Sequence, residues 1–291
     1  MRAKILFLSE KEKYRESLRM AQQALSELAV AFSHSFVMRE MSLEADDNQQ
    51  DLLSLMLEQD AVLMAGSKEF AKKTALSFGC FAAASRINQS DTLKELCRLK
   101  EGNLPSADLI YPLNDSPSFI GKTAVAACAL AKKGGRKLVT VQNDETESWN
   151  SVLSKAAMYA ALPSPQTFQL DAVLEQLLYN KEYIPLVMSG ANEASMIGNL
   201  LLFLGGTERL AHLTYLADSR RIQGVSPCSE QPQLPFFSML YATADAVRYQ
   251  LAWKKKRAAW KQPSTMFWLP VGVLRSLAWV IRQSHRRKHC G

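Results

Sequence analysis

Val125–Val141 reads VAACALAKKGGRKLVTV, and its two halves follow different rules. From Thr123 to Lys133 the chain is alanine-rich and reads as a helix. Gly134-Gly135 ends it, because glycine enters the left-handed backbone region that closes many helices. Lys137-Leu138-Val139-Thr140-Val141 then reads as a strand. A helix, a glycine stop and a strand in immediate succession form the repeating unit of an α/β protein.

The alternation continues on both sides. Downstream, Trp149 to Ala161 and Leu170 to Asn180 are predicted helices, Ile184 to Met188 a strand, and Ala194 to Leu204 a strongly apolar helix. Upstream, Lys4 to Leu8 is a first buried strand. Tyr14 to Ala31 follows as a helix, with Leu18, Ala21, Ala24, Leu25 and Leu28 at helical spacing. Asp51 to Glu58 is a short helix, and Asp60 to Gly66 a second strand. Phe78 to Arg86 and Ala107 to Tyr111 are a third and a fourth. Strand and helix in turn predict a mostly parallel α/β sheet.

With 291 residues, 47% apolar and 22% charged, the composition is that of a globular chain. No stretch reaches the ~18 consecutive apolar residues of a membrane span. The four apolar residues Ile5 to Leu8 are too few for a secretory signal. The cysteines at 80, 97, 128, 228 and 290 are odd in number and form no C-x-x-C pair. His34, His212, His285 and His289 show no H-E-x-x-H spacing. These patterns argue against a disulfide framework and a thiolate zinc site, and for a cytoplasmic chain. The net charge of +7 is uneven. From Ala246 onward there are 11 Lys and Arg and no acid, which leaves 24 basic against 28 acidic residues before it.

Nucleotide fingerprints are poor. The turn after the first strand, Ser9-Glu10-Lys11-Glu12-Lys13, has no glycine and cannot approach phosphate closely. Ser116-Pro117-Ser118-Phe119-Ile120-Gly121-Lys122-Thr123 ends like a P-loop, so Gly121, Lys122 and Thr123 form an alternative phosphate-binding set. Its first glycine is Ser116, and Pro117 removes a backbone donor.

The central stretch resembles the helix, basic turn and strand that precede the catalytic lysine of isopropylmalate and isocitrate dehydrogenases. WNSVLSKAA and LDAVLEQLLYNKEYIPLVMSGANEASMIGNLLLFLGG are similar to the family's next segments. Asp60 to Leu63 resembles its second strand, and Phe237 to Leu251, with Arg248-Tyr249, its late helix. The resemblance implies an isopropylmalate dehydrogenase-like α/β fold, two lobes sharing a mostly parallel sheet with flanking helices. It implies a first lobe over 1–104, a helix-rich dimerisation lobe over 105–206 and a return to the first lobe over 207–252; beyond the resemblance lies a basic apolar tail over 253–291.

The family oxidises and decarboxylates 2-hydroxy acids with NAD(P) and Mg²⁺ or Mn²⁺. Position by position, its base lysine falls at Asp144. Its metal aspartates fall at Asp171, Ala194 and Gly198. One substrate arginine falls at Arg86 and another at Leu76. The family's tyrosine and its arm have no counterpart, and its adenosine loop is replaced around Val225 to Ser229. Arg86 and Asp171 therefore read either as site relics or as a strand-end arginine and a helix-start cap. One carboxylate is a weak ligand set for a hard divalent cation.

The first functional expectation is a catalytically impaired protein with no catalytic residue and no cofactor, acting by binding or assembly, as a homodimer or with an active paralogue. The alternatives are an NAD(P)- and metal-dependent dehydrogenase with a rearranged site, and a degenerate P-loop protein. The apolar helix within Asn192 to Gly206, beside Leu174, Leu177 and Leu178, predicts burial, and the resemblance implies a dimer through this lobe. In the tail, Lys254 to Arg257 and Arg286 to Lys288 bracket the apolar segment Met266 to Ile281. That pattern reads as a helix packed on the body, or as a basic amphipathic helix on an anionic membrane surface through 254–291. A nucleic-acid partner fits less well, because the basic residues form no continuous stripe.

Overall fold

The computed structural model describes residues 2–31, 33–43, 49–87, 107–142, 146–179, 185–205, 212–218, 221–226 and 236–251. Asp144 and the tail 254–291 lie outside them, as do Cys97, Cys228 and Cys290. The described residues fall into two compact units. One is drawn from Met1–Ser77 and from Ser219 onward, the other from Phe78–Gln89 and Glu101–Asp218.

In the first unit the elements are β1 (Arg2–Ser9), α1 (Glu12–Ala31), β2 (Ser35–Ser42), α2 (Gln49–Leu57), β3 (Ala61–Ala65) and α3 (Lys68–Ser77). β10 (Arg221–Val225) and α8 (Phe236–Asp245) complete it, with a π-helical turn at Ala246–Leu251. Its strands run in the order β2-β1-β3-β10, all parallel. β1 and β3 are buried almost throughout, as parallel strands covered on both faces must be. α1 turns Leu18, Ala21, Leu25 and Leu28 inward, the stripe that its spacing predicts.

The second unit contains β4 (Ala82–Ile87), β5 (Ala107–Pro112), α4 (Pro117–Gly134), β6 (Leu138–Val141), α5 (Thr146–Tyr159), β7 (Gln166–Phe168), α6 (Leu170–Tyr179), β8 (Leu186–Met188), α7 (Ala191–Gly205) and β9 (His212–Leu216). The strand order is β9-β4-β5-β8-β6-β7. β5, β8, β6 and β7 are parallel, whereas β4 runs antiparallel to both β5 and β9. These pairings place β4 in the second unit, although the sequence boundary at 104 left it in the first lobe.

Residue alternation sorts side chains to the two faces of this sheet. Leu138, Leu186, Met188 and Ile110 join α4 and α5 in one core, with Trp149 and Leu153. Val139, Val141, Val187 and Leu109 join α6 and α7 in the other, with Val173 and Ile197. α4 begins with Pro117 in its first turn and stops at Gly135, whose φ of 61° is left-handed. The Arg136 N–H donates back to Ala131 O at 3.0 Å, closing the last turn.

The composition of α7 predicts burial all round, but one of its faces is exposed. Ala194, Ile197 and Leu201 face the core, while Met196 is 57% exposed. A helix lying on a sheet has one inner face, however apolar its outer one. The sequence also gave no sign of α3, β2, β7, β9 or β10. Among the described residues no helix is long and apolar enough to cross a membrane.

Candidate functional site

The described residues singled out by sequence are set as follows, with Asp144 outside them. Asp171 stands in the first turn of α6, exposed, and its Oδ1 accepts the Ala172 N–H at 2.8 Å. Its carboxylate therefore serves its own helix start, where negative charge is favoured. Ala194 lies in the first turns of α7, 3% exposed, within the core that also holds Val173, Leu177, Ile197 and Leu201. Gly198 is buried one turn later. Neither position offers an oxygen ligand. Asp171 alone does not fit the needs of a hard divalent cation, which takes several carboxylate or carbonyl oxygens. Among the described residues no group of three His, Cys, Asp or Glu stands close enough to hold a metal.

Arg86 lies in β4 opposite Asp108 of β5. The strand sets its backbone beside Ser85, whose hydroxyl donates to His212 O at 3.3 Å.

Gly121, Lys122 and Thr123 lie inside α4, beyond its first turn, so their amides belong to the helical ladder. A phosphate cradle works through free amides at a helix start. Thr123 is fully buried, and its hydroxyl donates to Phe119 O at 2.7 Å. Lys122 Nζ lies 2.7 Å from Asp218 Oδ2 and 5.7 Å from the centre of the Phe81 ring. The Thr123 hydroxyl is taken up by the helix's own backbone, and the half-exposed Lys122 is paired with Asp218.

Sequence reading missed two clusters. Ala83 of β4 is flanked in register by Tyr111 of β5 and Tyr215 of β9. Burial pushes the Tyr111 phenol up to about 12. Tyr215, 2% exposed, is raised further by burial and then by the Tyr111 and Cys80 charges. Burial also pushes the Cys80 thiol up to about 12. These groups stay neutral and unreactive near neutral pH, as desolvation disfavours their anions. In the first unit, the Glu10 carboxylate meets Ser67 at the start of α3. Glu10 was legible only as part of a charged turn.

No family model and no curated protein matches the chain. A solved structure does: the apo form of a beta-decarboxylating dehydrogenase from Thermococcus kodakarensis. It matches with a TM-score of 0.63 and 13% identity, over 97% of this chain and 96% of that one. At that identity the likeness carries the fold, and the strands and helices above are the ones it spans. The chain therefore has the α/β fold of a beta-decarboxylating dehydrogenase, the fold implied by its resemblance to isopropylmalate and isocitrate dehydrogenases.

Proposed function

We propose that this chain is a catalytically impaired relative of the beta-decarboxylating dehydrogenases that acts by binding or assembly. The observation that carries the proposal is the burial of Ala194 at 3% in an apolar cluster, where the resemblance places a metal carboxylate. An ionised carboxylate there would meet Val173, Leu177 and Ile197, and burying an unpaired charge costs several kcal/mol or shifts it to the neutral form. The position is built as core. The exposed Asp171, occupied with its own helix start, supports the same reading. The charge reversal at Asp144, where the family has its base, supports it from sequence.

The test is turnover. Purified protein is assayed with isopropylmalate, isocitrate and tartrate, NAD or NADP, and Mg²⁺ or Mn²⁺. No turnover above the uncatalysed rate is expected. Metal-dependent turnover abolished by Asp171→Asn would falsify the reading.

Assembly belongs to the same proposal. Leu178, Tyr179 and Met196 are 37%, 82% and 57% exposed on α6 and α7. Apolar side chains left in water on these two helices fit a homodimer or a paired paralogue. The basic tail supplies a second contact, an anionic membrane surface, through its ten bases and no acids from Lys254 onward. Full-length protein should sediment with vesicles containing phosphatidylserine at low salt, and protein truncated before Lys254 should not. Both forms staying in the supernatant would remove the membrane from the proposal.

A further inference from the structure

We propose, resting on the assembly reading above, that the outer face of α6 and α7 is the docking surface for the basic tail, residues 254–291, of a second copy of this chain. α6 and α7 lie over one face of the sheet and share the core of Val173, Leu177, Ala194, Ile197 and Leu201. Away from that core, Asp171, Glu175, Leu178 and Tyr179 recur at helical spacing along α6, and all four are exposed. α7 adds Glu193 in its first turn and the exposed Met196. The two helices thus hold three acids and no lysine or arginine. α1, α3, α4 and α5 all carry bases, which would repel a basic segment, and α2 and α8 have one acid each.

The tail has the opposite composition. From Lys254 onward there are ten lysines and arginines and no acid, and the apolar stretch Met266 to Ile281, with Trp268 and Trp279, lies among them. A second copy applying its own α6 and α7 would set acids against acids with no base to offset them, and like charges brought together at a contact are costly. A purely basic partner would leave Leu178, Tyr179 and Met196 in water, and a purely apolar one would strip solvent from Asp171 and Glu175 without pairing them. The tail carries both kinds of group, so it complements the face in charge and supplies apolar area.

The test is zero-length carbodiimide cross-linking of full-length protein, using a mixture of unlabelled and ¹⁵N-labelled copies read by peptide mass spectrometry. Cross-links should join Lys254, Lys255, Lys256 or Lys261 to Asp171 or Glu175, and they should pair labelled with unlabelled peptides. Their yield should fall about threefold or more between low salt and ~0.5 M sodium chloride, because exposed charges are screened. Glu175→Lys should lower the yield at Asp171 too, with thermal unfolding unchanged. Glu16→Lys, which changes an exposed acid of α1, should leave the yield as it was. Cross-links confined to single copies, or formed as readily to the acids of α1, would overturn the proposal. A dimer by light scattering that gives no such cross-links would overturn it and leave the assembly reading standing, whereas a monomer would overturn both.

Discussion

Arg136 Nη1 lies 2.8 Å from Asp108 Oδ2, with both side chains nearly out of solvent. Arg136 follows the left-handed Gly135, and Asp108 opens β5. The pair ties the turn that ends α4 to the strand that precedes it. Breaking a buried pair leaves one charge without its partner and typically costs ~3–5 kcal/mol, while replacing both partners with apolar groups is often neutral.

Arg136→Met should therefore lower stability by about 3 kcal/mol or more. Adding Asp108→Leu should recover much of the loss. Urea denaturation of the two single variants and the double variant measures this. A double variant as unstable as the sum of the singles would show that the two residues are not coupled.

Restoring a family carboxylate should harm the protein. Ala194→Asp places a charge among Val173, Leu177 and Ile197 and should cost several kcal/mol. Asp171→Asn, at an exposed helix start, should change stability by less than ~1 kcal/mol. Thermal unfolding of both variants separates the two settings. Equal effects would mean that Ala194 is not held in core.

Alkaline pH should unfold the chain before its buried phenols titrate. Burial raises Tyr111 and Cys80 to about 12 and Tyr215 further. Their folded-state values lie above the unfolded ones, about 10 for tyrosine and 8.5 for cysteine. The resulting stability is full below the unfolded values and is lost as pH rises toward 12. Phenolate absorbance and circular dichroism followed together should show these tyrosines ionising only with the loss of structure. Cys80 should likewise resist thiol reagents until the chain unfolds.

Light scattering at micromolar concentration should report twice the 32.5 kDa chain mass. Met196→Glu, on the exposed face of α7, should shift the population toward monomer without unfolding it. A wild-type monomer would count against the contact through α6 and α7.

The unit from Thr123 to Val141 was legible because its determinants are local. Alanine favours helix, Gly135 takes the left-handed φ of 61°, and Leu138 to Val141 alternates between two cores. The same alternation predicted most of the parallel strands, and residue identity alone showed that Ala194 and Gly198 lack carboxylates. Tertiary structure decided the rest. Ala82–Ile87 carries no mark of its direction, and only pairing with Tyr111 and Tyr215 makes it antiparallel and assigns it to the second unit. β7, three residues long, is too short for periodicity to separate from turns. That Ala194 is core, and that Glu10 reaches Ser67 across 57 positions, depends on which segments fold against each other. Local sequence sets backbone preference and the apolar face of each element. Register, direction and the partner of a buried charge come from contacts between segments far apart in the chain, and periodicity does not encode those.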